Sequence, residues 1–136
     1  MDVDTQWKGS RRTLFQAPRI GSEGMNTNWE SHDGAIVATV DGRVDGANAH
    51  EFQEALEAVI KASESAVILD FEQLSYISSA GLRVVLLAAK ELRKQGKQFA
   101  VCSLAGSILE VFKISGFDQI IPVHSTQAEA IAAVTA

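Results

Sequence analysis

The stretch that most restricts the fold is Ala66-Val67-Ile68-Leu69-Asp70-Phe71 followed by Ser75-Tyr76-Ile77-Ser78-Ser79-Ala80-Gly81-Leu82. Apart from Asp70 near its end the six-residue run is apolar throughout, so the pattern predicts a strand buried on both faces rather than the edge of an open sheet. Small hydroxyl residues then lead into Leu82, Val85, Leu86, Ala89 and Leu92, an apolar face at helical spacing that ends at Gly96. A doubly buried strand feeding a helix is one half of a parallel crossover, and it calls for layers on both sides of a sheet.

The remaining chain extends that scheme. Asn26–Ser31 and Ala35–Val40 flank His32-Asp33-Gly34 and read as an antiparallel hairpin, with 41–46 as a loop. Asn48 is placed to cap a first helix, with Glu51 three residues on as its capping-box partner and Phe52, Ala55, Leu56, Val59 and Ile60 as its buried face. Gln98–Ser103 is a further strand, Gly106–Ile114 a short helix, and Gln119–Val123 a last strand. Thr126-Gln127-Ala128-Glu129 is a capping box opening a final helix. The expected class is α/β: a mixed, mostly parallel sheet with an N-terminal antiparallel hairpin and about four helices. The first 24 residues contain Gly9-Ser10-Arg11-Arg12, Pro18 and Gly21-Ser22-Glu23-Gly24 without periodicity. They read as a flexible N-terminal extension, 1–24, before a single domain, 25–136.

Charge and composition exclude several classes of function. The net charge is −5, and a nucleic-acid partner would require clustered Lys and Arg. One cysteine, Cys102, permits neither an internal disulfide nor a Cys-rich zinc site, and its apolar surroundings suit a buried, inert thiol. No His, Cys or carboxylate group has metal-ligand spacing, and no cofactor motif is present. No apolar run reaches the ~18 residues of a membrane span, and no signal-peptide pattern is visible, so the expected location is the cytoplasm.

Ser79 is the focus of the chemistry. A serine at a helix start can cap N–H groups that lack intrahelical partners, or it can carry a phosphate those groups welcome. Spacing alone favours the cap for Ser79, with phosphate acceptance as the alternative. A hydrolase built from Ser79 with His32, His50 or His124 lacks the Gly-x-Ser-x-Gly elbow, and a nucleotide-hydrolysing domain lacks its phosphate loop.

Leu69-Asp70-Phe71 and Leu74-Ser75-Tyr76-Ile77-Ser78-Ser79-Ala80-Gly81-Leu82 together resemble the signature of the STAS family, the bacterial anti-sigma factor antagonists. The likeness runs over roughly 35–134. It includes Gly42-Arg43-Val44-Asp45, Cys102 and Val111-Phe112-Lys113-Ile114-Ser115-Gly116-Phe117. The resemblance implies a non-catalytic binding domain with Ser79 as phosphorylation site. Its unphosphorylated form would bind a GHKL-type anti-sigma factor serine kinase and release a sigma factor. The kinase would then phosphorylate it and end the complex, and a PP2C-type phosphatase would restore it. A STAS subunit of another regulatory or lipid-transport assembly is the alternative. This chain departs from many members in having Ser78 where an acid precedes the acceptor, and Ala80 where a hydroxyl residue follows it.

The neighbouring positions divide similarly. Asp45, Ser78, Ser79, Ala80, Gly81 and Arg83 form the expected partner-binding set. Asp45 has a turn-forming alternative and Gly81 a close-packing one. Asp70 is expected to shape the loop before the switch serine through backbone N–H groups, with assistance to proton transfer as the other possibility. Arg83 and Lys90 are expected to face solvent.

Overall fold

The computed structural model describes residues 12–13, 24–32 and 34–135. Strands β1 (Arg12–Thr13), β2 (Met25–His32), β3 (Ala35–Val44), β4 (Ala66–Asp70), β5 (Leu74–Ile77), β6 (Gln98–Cys102) and β7 (Val123–His124) form one sheet. Helices α1 (Ala49–Ala62), α2 (Ser79–Lys94), α3 (Gly106–Ile114) and α4 (Gln127–Thr135) alternate with its later strands. The order across the sheet is β1-β2-β3-β4-β6-β7, with β5 also paired to β3. The β1–β2 and β2–β3 pairs are antiparallel, and the others are parallel. The expected 1–24 extension lies outside the described residues apart from Gly24 and the β1 pair, which sits opposite Trp29 and Glu30.

Alternation in the central strands divides the core. Ile36, Ala38 and Val40 of β3, Val67 and Leu69 of β4, and Phe99 and Val101 of β6 face α1, α2 and α3. Ala35, Val37, Ala66, Ile68, Ala100 and Cys102 face the other way, against Ala130 and Val134 of α4. Every residue of β4 is buried, because it lies between β3 and β6 with helices on both faces.

Several local expectations are corrected. The 41–46 loop begins only after Val44, because β3 continues through Gly42. That glycine has φ +96°, and a Cβ there would strike the Gly24 carbonyl oxygen. Its bend lets β3 leave β4 after Thr39↔Asp70 and take up β5 at Gly42↔Leu74, with a register shift before Arg43↔Tyr76. The strand expected at Gln119–Val123 is a 3₁₀ turn, Phe117–Gln119, and then the short β7. The buried face of α2 is Leu82, Val84, Val85, Ala88 and Leu92. Val84 and Ala88 join that face because α1 packs alongside α2, Ala89 packs half-buried against the core, and Leu86 is half-buried.

The capping box of α1 does not form. Asn48 makes no side-chain bond to the helix, and Glu51 Oε1 is buried without a hydrogen-bond partner among the described residues. The box opening α4 forms with one shift: Thr126 Oγ1 accepts from the Glu129 N–H (3.1 Å), while Glu129 Oε1 reaches one residue past the cap to accept from the Ser125 N–H (3.1 Å).

The α1 C-terminus has a partner that sequence reasoning did not single out. Lys97, just beyond Gly96, extends its Nζ to the carbonyl oxygens of Ile60 (3.1 Å) and Ser63 (2.8 Å). A cation on the last carbonyls of a helix satisfies orphan acceptors and opposes the dipole. Lys97→Met keeps the aliphatic stem and removes these charge-assisted bonds. It is expected to lower the unfolding free energy by about 1–2 kcal/mol in a urea titration, whereas the exposed Lys94→Met should change it by no more than ~0.5 kcal/mol.

Candidate functional site

The site is assembled where β3 and β5 end side by side. Val44 and Ile77 are register partners, both in the core, and the Ser78 N–H donates to the Val44 carbonyl (2.8 Å). Asp45 follows one strand and Ser78-Ser79 follows the other, so the register juxtaposes two loops that are 33 residues apart at their paired ends.

Two adjacent serines have different roles. Ser78 has extended backbone (φ −84°, ψ 172°) and is the N-cap of α2; its Oγ accepts from the Gly81 N–H at 3.2 Å. Its carbonyl accepts from Leu82 N–H at 2.9 Å. The capping reading considered for Ser79 therefore belongs to Ser78. Ser79 is the first helical residue and is exposed, and among the described residues its hydroxyl has no hydrogen-bond partner. Ser75 is exposed too, but its Oγ donates to the Gly42 carbonyl at 3.0 Å. Of the three serines in the segment, Ser79 alone presents an uncommitted hydroxyl. It does so beside first-turn N–H groups that the helix leaves unpaired.

Asp45 shapes its own turn. Its Oδ1 accepts from the N–H groups of Ala47 (3.0 Å) and Asn48 (3.2 Å). Asn48 Oδ1 accepts in return from the Asp45 N–H (2.9 Å), and its amide donates to the Arg43 carbonyl (2.9 Å). This reciprocal closure explains why Asn48 leaves the helix end uncapped. The loop beside Ser79 is held in shape without a partner.

Ala80 and Gly81 occupy the first turn of α2. Gly81 is buried, and Ala80 is half-buried against the core. A Cβ on residue 81 would come 2.7 Å from Val44 Cγ1 and 2.8 Å from Ile77 Cγ1. Gly81 thus acts through packing, by letting the first turn of α2 sit directly on the two strand ends. Arg83 and Lys90 face solvent.

Asp70 is 5% exposed at the end of β4. Its Oδ1 accepts from the Glu72 N–H (3.0 Å) and its Oδ2 from Gln127 Nε2 of α4 (2.7 Å). Held this way, it shapes the 71–73 turn and ties down α4. Burial, and secondarily the Asp70 carboxylate, push the Cys102 thiol up to about 11. That keeps it protonated and unreactive near neutral pH.

Arg43 and Tyr76 were not singled out as site residues. The register shift places the Arg43 guanidinium carbon 4.5 Å from the Tyr76 ring centroid, with both residues exposed. Only the unusual β3–β5 pairing brings them together, and nothing in the linear sequence signals it. His50 pairs with Glu54 (3.2 Å) and His32 approaches Glu30 (3.4 Å). No histidine is hydrogen-bonded to Ser79, and among the described residues no three His, Cys, Asp or Glu side chains converge on a metal-sized site.

Residues 26–130 match the family model described as the STAS domain. The chain belongs to the STAS domain family. A stretch of 109 residues is 43% identical to BtrV of Bordetella bronchiseptica, a protein assigned by name as an anti-sigma factor antagonist; it covers 80% of this chain and 94% of that one. The anti-sigma-B factor antagonist of Listeria monocytogenes is 32% identical over 91 residues, covering 66% of this chain and 79% of the relative. Among solved structures, an anti-sigma factor antagonist from Mycobacterium paratuberculosis superposes with a TM-score of 0.78 at 26% identity, over 85% of this chain and 97% of that one. The mixed sheet and four helices of this STAS domain agree with that structure. Among its described residues, no helix is long and apolar enough to cross a membrane.

Proposed function

We propose that this STAS domain is an anti-sigma factor antagonist, a non-catalytic binding module switched by phosphorylation of Ser79. The observation that carries the reading is the division of labour at the start of α2. Ser78 holds the helix end and Ser75 is tied to Gly42, while Ser79 offers an exposed, uncommitted hydroxyl. The relatives named as antagonists support the same role.

In this reading the unphosphorylated domain presents Ser79, Ser78, Asp45 and Arg83 to an anti-sigma factor of the GHKL serine-kinase type, and a sigma factor is released in the cytoplasm. The kinase then joins Ser79 Oγ to the γ-phosphorus of ATP. The bond from that phosphorus to ADP breaks, and the hydroxyl proton passes to a base on the kinase. The new group carries roughly −1.5 to −2 charges. The helix N-terminus offsets only ~0.3–1 kcal/mol of its cost at a surface the partner must desolvate, so the complex separates without refolding. A PP2C-type phosphatase restores the hydroxyl.

The test is incubation of the purified chain with ATP and a GHKL-type anti-sigma factor kinase from the same organism. Intact-mass measurement should show one phosphate on the wild type and none on Ser79→Ala. Modification persisting in Ser79→Ala would move the acceptor to Ser78 or Ser75. No modification at all would favour a subunit of another assembly.

A further inference from the structure

Basic charge is concentrated on α2. That helix carries Arg83, Lys90, Arg93 and Lys94, half of the eight basic residues from 25 onward, against a single acid, Glu91. Arg83 lies four residues after Ser79, which puts the two side chains on one face with Cβ atoms about 5–6 Å apart. Both residues are exposed, and among the described residues neither side chain has a partner. The first turn contains no acidic residue, and its cap is the neutral Ser78. Beside the paired strand ends, Arg43 lies over Tyr76, and Asp45 Oδ1 accepts from Ala47 and Asn48.

We propose that Arg83 is the intramolecular receptor for a phosphate on Ser79. The inference rests on the reading of Ser79 as acceptor. A negative group four residues N-terminal to a cation is the favourable order on a helix, since each charge also opposes the nearer end of the dipole. Phosphate oxygens suit the guanidinium fork, which forms paired charge-assisted hydrogen bonds. Phosphorylation then alters two side chains of the contact face together. It adds negative charge at Ser79 and removes Arg83 from whatever acidic group of the partner it would meet. The neutral Ser78 assists, because a carboxylate at that position would repel the phosphate and compete for Arg83.

The experiment separates this inference from the acceptor reading by installing phosphoserine at position 79 during translation, with no kinase involved. The phosphate is titrated by ³¹P NMR in the full chain, in Arg83→Gln and in Lys90→Gln. Lys90 loses the same charge from about 16 Å farther along the helix than Ser79, beyond a Debye length at physiological salt. Pairing with Arg83 lowers the second phosphate pKa, so Arg83→Gln is expected to raise it by about 0.3–0.6 unit, a two- to fourfold change in the protonation constant. Lys90→Gln should leave it within ~0.1 unit, and Arg83→Lys should recover part of the shift. Equal shifts in Arg83→Gln and Lys90→Gln, or none in either, would overturn the receptor. Failure of the cognate kinase to modify Ser79 would instead overturn the acceptor reading and leave the titration result intact.

Discussion

Ser79→Asp is expected to weaken binding to the anti-sigma partner by at least ~30-fold while leaving the melting temperature unchanged or a few degrees higher. The affinity estimate follows from placing a charge without a counterpart in a desolvated contact, which costs about 2–5 kcal/mol, with each 1.4 kcal/mol worth a factor of ten. The stability estimate follows from the cap. Ser78, not Ser79, accepts the Gly81 N–H, so the substitution removes no hydrogen bond made within the described residues. It also places an acid at the favourable end of the dipole, worth ~0.3–1 kcal/mol. Ser78→Ala should behave in the opposite way, costing about 0.5–2 kcal/mol of stability through the lost cap. Calorimetric titration against the partner and thermal melts of both variants check the pair. Unchanged affinity in Ser79→Asp would remove Ser79 from the contact, and a melting loss as large as that of Ser78→Ala would return the cap to Ser79.

The one-residue difference between cap and acceptor shows where sequence reading reached its limit. Two adjacent serines before an apolar helical pattern define a helix start, but which of them has extended backbone depends on how β5 docks against β3. That docking was not legible. Leu74–Ile77 shows two buried ends around exposed Ser75 and Tyr76, which breaks the period-2 signal of a strand. The reason is the irregularity at Gly42/Arg43 on the neighbouring strand. The elements governed by local periodicity were legible: β4, the spans of α2 and α3, and the box opening α4 follow the sequence to within a residue or so. Asn48 and Glu51 had the letters of a capping box, yet Asn48 bonds to Asp45 and Arg43 instead. A tertiary contact there outweighed a local preference. Exposure of the Ser79 hydroxyl and burial of Gly81 likewise depend on packing between elements distant in sequence.

Gly81 should be the least replaceable residue of the site even though it has no side chain to present. Helix propensity favours Gly81→Ala by up to ~1 kcal/mol, so an unobstructed site would gain stability. Here the added carbon meets Val44 Cγ1 and Ile77 Cγ1 at 2.7 and 2.8 Å. Val44 is fully buried, and the Ile77 atom is not the free end of its chain, so neither can swing aside. Overpacking of this kind costs about 1–3 kcal/mol, and for alanine the net loss should be roughly 1–2 kcal/mol, a fall in Tm of about 4–8 °C. Gly81→Val adds two more atoms and a β-branch in the first turn, and should lose ~3 kcal/mol or more. The displacement also pushes α2 away from the strand ends, which lengthens the Ser78 N–H bond to Val44 and shifts Ser79 relative to Asp45. Phosphorylation rate and partner affinity should therefore fall in Gly81→Ala under conditions where it remains folded. Gly106→Ala is the control, because that glycine begins α3 with no atom within 4 Å of the added carbon and no positive φ; it should be neutral or slightly stabilising. Thermal melts and kinase assays on the three variants decide the matter: if Gly81→Ala matched Gly106→Ala in both, the close seating of α2 on Val44 and Ile77 would not be what positions Ser79.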